Sequence, residues 1–147
     1  MNPKLNKKYS VLFSSDCRYY IITGGRGSGK SFAATVFLTL LTMTKGVRVL
    51  FTRYTMVSAH LSIIPEFLEK IGLLNFTSIF SINKAEVVNT STNSDILFRG
   101  IKTSSGNQTA SLKSLQGISC WVLDEAEELI DENIFDTIDL SIREKNI

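Results

Sequence analysis

Histidine is almost missing from this chain: His60 is the only one in 147 residues. It falls in a segment with helical patterning and has no metal-ligand partners, so no role is read for it. Cysteine is nearly as scarce. Cys17 and Cys120 stand at no metal-ligand spacing, which excludes a disulfide scaffold and leaves a reducing compartment as the default. Cys120 lies in an apolar run and is expected to pack as a small hydrophobe. No apolar stretch approaches the roughly 18 residues of a membrane-spanning helix. The basic start, Met1 to Lys8, has no apolar h-region behind it, so no signal peptide is read. There is no internal repeat. A large excess of one charge is also lacking. The net charge of +2 is not that of a strongly basic nucleic-acid binder.

What is present suffices for one folded domain. The apolar fraction is 44%, enough for a core and too high for a disordered chain, and the length fits a single domain. The charges are unevenly placed. Residues 1–53 hold nine Lys/Arg against one acid, Asp16, giving +8, and residues 54–147 hold seven against thirteen, giving −6. Either the basic half wraps a phosphate ligand while the acidic half carries metal and surface carboxylates, or the basic half presents a face to nucleic acid.

The stretch Gly24-Gly25-Arg26-Gly27-Ser28-Gly29-Lys30-Ser31 fits G-x-x-x-x-G-K-[ST], the phosphate-binding P-loop. Glycines allow the loop to turn with positive φ and bring its N–H groups close to phosphate oxygens. The helix that follows adds its positive end. Lys30 then reaches the β/γ-phosphates, and the Ser31 hydroxyl ligates Mg²⁺. The context agrees. The β-rich run Tyr19–Thr23 comes directly before the glycines, and a long apolar segment from Phe32 to Leu41 directly after. Strand, glycine turn and helix are the setting the motif requires.

Further along, residues 1–15 read as a leading arm with room for a short helix. A helix is expected over Lys30–Thr44, ended at Lys45-Gly46. Val47–Thr52 reads as a second strand, buried on both faces and parallel to the first. Ser58–Ile71 carries apolar residues at helical spacing, with Pro65 predicting a kink or a restart. Segments 77–82, 85–89 and 95–99 alternate as strands around a polar turn at 89–94, an antiparallel excursion. Lys102–Ser111 reads as a polar loop, Ile118–Leu123 as a third buried strand and Ile130–Ile142 as a closing amphipathic helix.

The run Ile118 to Leu123 ends in Asp124-Glu125, the Walker B layout of P-loop enzymes. At the carboxyl end of a parallel strand, Asp124 would hold Mg²⁺ with Ser31, and Glu125 would orient or deprotonate the attacking water. Adjacent strand side chains point apart, which separates the two roles. The plainer alternative is that this pair, with Glu127, Glu128 and Asp131, favours the start of the next helix. An acid pair here marks the ATPases that act on strands rather than small kinases.

These residues together resemble the large terminase subunit of tailed bacteriophages, the ATPase motor that packages DNA. The likeness is carried by Tyr20 to Ser31 with an arginine inside the loop, by Val47 to Arg53, by Phe98 to Ile101, by Leu112 to Gly117 and by Trp121 to Leu129, and it spans about residues 18–142. It implies a three-layer α/β P-loop fold with a mostly parallel sheet, of the additional-strand catalytic-glutamate type, and ATP with Mg²⁺ as cofactors. It implies double-stranded viral DNA, a portal protein and a small terminase subunit as partners, a ring of subunits, and work in the cytoplasm of the infected bacterium at the procapsid portal. Family members continue into a coupling motif, further strands and a nuclease domain. The chain is therefore expected to cover the front of the ATPase domain and to carry no nuclease residues.

Several residues keep two readings. By resemblance, Arg26 contacts the γ-phosphate; otherwise it is a solvent-facing spacer. Lys113, eleven residues before Asp124, is by resemblance a cation acting across a subunit boundary, and otherwise a solvated loop charge; lysine lacks the arginine fork. Tyr19 and Tyr20 either stack on adenine or pack in core or interface. Arg53 either senses nucleotide, touches DNA or forms an ion pair, and Trp121 is read as core. Two rival functions stand beside the motor: another DNA-directed P-loop ATPase such as a helicase, and a nucleotide-binding interaction module that does not hydrolyse.

Overall fold

A computed structural model describes residues 4–14, 17–56, 61, 63–103, 106–107 and 109–142. His60 and the start of the expected 58–71 helix lie outside these residues. The strands are β1 (Arg48–Thr55), β2 (Phe80–Ile82), β3 (Glu86–Asn89), β4 (Ser94–Thr103), β5 (Gly106–Asn107) and β6 (Cys120–Asp124). They form one sheet in the order β2-β3-β4-β1-β6, with β5 paired to β4 off that path. β1 is central and parallel to both β4 and β6. The pairs β2–β3 and β3–β4 are antiparallel, the excursion expected between residues 77 and 99.

Helices lie on both faces, so the domain has three layers. α1 (Lys30–Leu41) and α2 (Ile63–Leu73) cover one face, and α3 (Thr109–Lys113) and α4 (Glu132–Asp139) the other. The alternation of β1 divides its side chains between them. Val49 and Phe51 pack with Leu38 of α1 and with Ile64, Phe67 and Ile71 of α2. Leu50, between them, packs with Leu112, Ile134 and Ile138. Val49, Leu50, Phe51 and Thr52 are all buried, as a strand covered on both sides should be. A third cluster joins Tyr9 and Leu12 of the leading arm to Ala33 of α1, with Tyr20 and Ile22 against them.

The carboxyl end of α1 shows how distant residues finish a helix. Its last carbonyls need partners outside the helix. Asn89 Nδ2 and Thr92 Oγ1 donate to the Thr42 carbonyl at 3.1 and 2.6 Å, and Ser94 Oγ donates to that of Thr44 at 2.6 Å. The short segment 42–47 then leads into β1. The helix therefore runs back along the sheet, and its amino end lies towards the edge where β1 and β6 finish.

Five expectations are adjusted. α1 ends at Leu41, short of Thr44. Tyr19–Thr23 does not join the sheet. Tyr20 and Ile22 turn inwards to the third cluster while Ile21 is 90% exposed. The alternation marks an inner face, but a ladder also needs a neighbour, and among the described residues none pairs with it. Lys102–Ser111 is not all loop, because β4 runs to Thr103, β5 folds back on it and α3 begins at Thr109. The closing helix is shorter than 130–142, since Asp131 caps it, accepting the Asn133 N–H at 3.0 Å. Finally, of the two readings of Pro65 the helix start holds rather than the kink, since α2 begins at Ile63. Pro65 falls in the first turn of α2, where its missing N–H has no helical partner to lose.

Candidate functional site

The glycine loop is shaped by backbone conformations that favour glycine. Gly27 and Gly29 have φ of 76° and 84°, in the left-handed region open to residues without Cβ. Gly29 immediately precedes α1. A Cβ on Gly24 would come 2.9 Å from Ser28 Oγ, so the first glycine is needed for closeness as well. Lys30 folds over the loop. Its Nζ donates to the Gly24 carbonyl, to that of Gly25 at 3.2 Å and to Ser28 Oγ at 3.5 Å. These partners are neutral, and among the described residues no carboxylate forms an ion pair with the ammonium. Ser31 and Arg26 are exposed, and Arg26 meets no partner among the described residues.

The loop rests on the leading arm. Lys7–Phe13 forms a short 3-10 helix started by Asn6, whose side chain accepts the Lys8 N–H. This puts Tyr9 under the loop, buried, with its hydroxyl donating to the Ser28 carbonyl at 2.8 Å. Tyr19 and Tyr20, the candidates for stacking, are engaged otherwise. The Tyr20 hydroxyl donates to the Ser14 carbonyl. Asp139 Oδ2 of α4 accepts both from the Tyr19 hydroxyl and from Arg18 Nη2, each at 3.0 Å.

Asp124 ends β6 directly beside Arg53 of β1 in the parallel register. Arg53 Nε and Nη2 both donate to Asp124 Oδ2, at 3.0 and 2.5 Å. Glu125 leaves the strand with φ 52° and ψ 49°, a left-handed turn that is uncommon for a non-glycine residue. Its Oε2 lies 3.6 Å from Arg53 Nε. The strand rule that would part the two acids thus stops at Asp124, and one guanidinium meets both. Burial works against the Arg53 charge. The hydrogen bonds and charge of Asp124, with Glu125 and Glu128 behind, outweigh it and hold the guanidinium above its ordinary value. The rung below is fixed by a relay. The Trp121 indole N–H donates to Thr52 Oγ1 at 2.8 Å, and Thr52 Oγ1 donates to the Val122 carbonyl at 3.1 Å.

These groups match a polyphosphate in kind: an uncompensated ammonium, an exposed hydroxyl at Ser31, glycine backbone and the free first-turn N–H groups of a twelve-residue helix. They match a magnesium–phosphate complex better than a bare ion. Among the described residues no group of three or more His, Cys, Asp or Glu is placed to hold a metal, and Mg²⁺ ordinarily takes one or two carboxylates plus phosphate oxygens. The structure brings Gly24–Ser31 together as one loop, and Asp124 with Glu125 as one pair. Among the described residues no hydrogen bond or ion pair joins the loop to the pair. Lys113 stands apart at the end of α3, exposed, beside a shallow cavity shared with Thr137, Leu140 and Ser141.

Sequence reasoning did not find Tyr9 or the Thr52–Trp121 relay. A tyrosine in an arm and a threonine in an apolar strand carry no local signal, since both act through partners far along the chain. Arg53 had one signal, its place at the end of a strand.

The sequence model of one protein family, described as phage terminase large subunit, matches residues 16–147. No curated protein matches the chain. Among the described residues no helix is long and apolar enough to cross a membrane.

Proposed function

The chain belongs to the phage terminase large-subunit family, and we propose that it binds and hydrolyses ATP to power translocation of viral DNA into a procapsid. The observation that carries this is the Gly24–Ser31 loop, folded at the amino end of α1 with Lys30 drawn over it and, among the described residues, no acid paired with it.

In this reading the backbone from Gly24 to Gly29 and the α1 amino end bind the phosphates. Lys30 leaves the Gly24 and Gly25 carbonyls for the β/γ-phosphates, and Ser31 and Asp124 hold Mg²⁺. When bound with ATP, the metal offsets the charge of the phosphates. Glu125 orients the attacking water and accepts its proton. Arg26, exposed in the loop, swings to the γ-phosphate, where a guanidinium can stabilise developing charge. Lys113 supplies a cation to a neighbouring subunit of a ring. The partners are double-stranded viral DNA, a portal protein and a small terminase subunit, and the place of work is the portal in the cytoplasm of the infected bacterium.

A second reading, nucleotide binding without hydrolysis, is favoured by one contact: Arg53 lies on both acids. Steady-state ATP turnover of the chain and of Glu125→Gln separates the two. Turnover that Glu125→Gln abolishes supports the motor ATPase. Tight binding with no turnover at any protein concentration supports the second reading.

A further inference from the structure

Arg53 stands where phosphate binding does not require a cation. It approaches from β1, across the sheet from the strand that carries the acids, and puts two N–H groups on a single oxygen, Asp124 Oδ2. The other oxygen, Oδ1, takes no hydrogen bond among the described residues, so Arg53 fixes the rotation of the carboxylate and leaves one oxygen to offer. The guanidinium is also charged and cannot be deprotonated. Asp124, Glu125 and the one guanidinium leave a single net negative charge, with Glu128 the next acid behind them, and among the described residues no group of three His, Cys, Asp or Glu is placed to complete a shell. A hydrated divalent ion gains little there. The same ion arriving on a triphosphate brings most of its own ligands and its own negative charge.

We propose that Arg53 is a positioning residue that keeps bare divalent cations off Asp124 and presents Oδ1 to a metal that arrives with the nucleotide. This rests on the nucleotide reading above. The two carboxylates thereby stay paired with Arg53 between turnovers without trapping free Mg²⁺. A unit charge about 6 Å from a divalent ion in a water-like medium changes its binding roughly tenfold, which sets the size of the effect.

The test uses Mn²⁺ as the probe, with bound and free ion separated by electron paramagnetic resonance on the chain without nucleotide. Arg53→Gln is expected to bind Mn²⁺ about tenfold more tightly than the wild type. Arg53→Lys keeps the charge and should stay near the wild type. With a non-hydrolysable ATP analogue present, the gap between Arg53→Gln and wild type should narrow. Should Arg53→Gln fail to fold, Arg53→Met, which keeps most of the stem without the charge, carries the same expectation. Mn²⁺ binding by the folded neutral variant that equals or falls below the wild type's overturns the proposal. Binding of Mg-ATP by the wild type, abolished in Lys30→Ala, is measured beside it. If it is present, such a failure belongs to Arg53 alone. If it is absent, the nucleotide reading falls and this inference with it.

Discussion

Thr52→Val removes one hydroxyl at the centre of the sheet. Thr52 is fully buried and its Oγ1 both accepts from the Trp121 indole and donates to the Val122 carbonyl. Valine fills nearly the same space. Two neutral hydrogen bonds are lost, at about 1 kcal/mol each, and a partly buried indole N–H is left without a partner, at about 1 kcal/mol more. The added methyl returns about 0.8 kcal/mol. The net loss is about 2 kcal/mol, a large share of the 5–15 kcal/mol typical of a domain. Urea unfolding of wild type, Thr52→Val, Trp121→Phe and the double variant closes a cycle. In the Trp121→Phe background neither the indole hydrogen bond nor an indole N–H to be stranded remains, so Thr52→Val should cost about 2 kcal/mol less than it does alone. Costs that add to within about 0.3 kcal/mol would refute the relay. The relay matters for the site because the next rung is Arg53 beside Asp124.

Other outcomes follow from the same geometry. Tyr9→Phe deletes the hydroxyl under the Ser28 carbonyl and should lower stability by about 1 kcal/mol and weaken Mg-ATP binding, read by denaturant unfolding and calorimetric titration. Arg26→Ala should reduce turnover much more than nucleotide affinity; equal losses in both, or none, would leave Arg26 a spacer. Burial pushes the Cys120 thiol from 9.0 up to about 11. The folded state therefore prefers the neutral thiol, and the stability this gives is complete below pH 9 and lost as pH rises towards 11. At pH 10 the wild type should have lost about 1.4 kcal/mol more than Cys120→Ala has, relative to neutral pH. The exposed Cys17 should be the first thiol to react with an alkylating probe.

What the sequence made legible was local. The glycine spacing identifies the loop, and a continuous apolar run identifies β1 as buried on both faces. The acids after Val122-Leu123 mark the end of β6. What it hid depends on residues distant in the chain. The contact of Arg53 with Asp124 exists because two parallel strands pair in one register, and no local pattern fixes a register between strands so far apart. The left-handed turn at Glu125 contradicts the strand periodicity that would send the two acids to opposite faces. Tyr19–Thr23 has the composition of a strand, but a ladder is the property of a pair. Helix ends were misjudged where a side chain set them, as Asp131 does for α4 and as Asn89 and Thr92 do for α1.

The proposed activity depends on the Gly24–Ser31 loop holding the phosphates of ATP through Lys30. Equilibrium binding of a fluorescent ATP analogue with Mg²⁺, compared between the wild type and a folded Lys30→Ala, tests it most directly. Saturable binding by the wild type, displaced by unlabelled ATP and lost in Lys30→Ala, is expected. Equal binding by the two proteins, or none by the wild type, would contradict it.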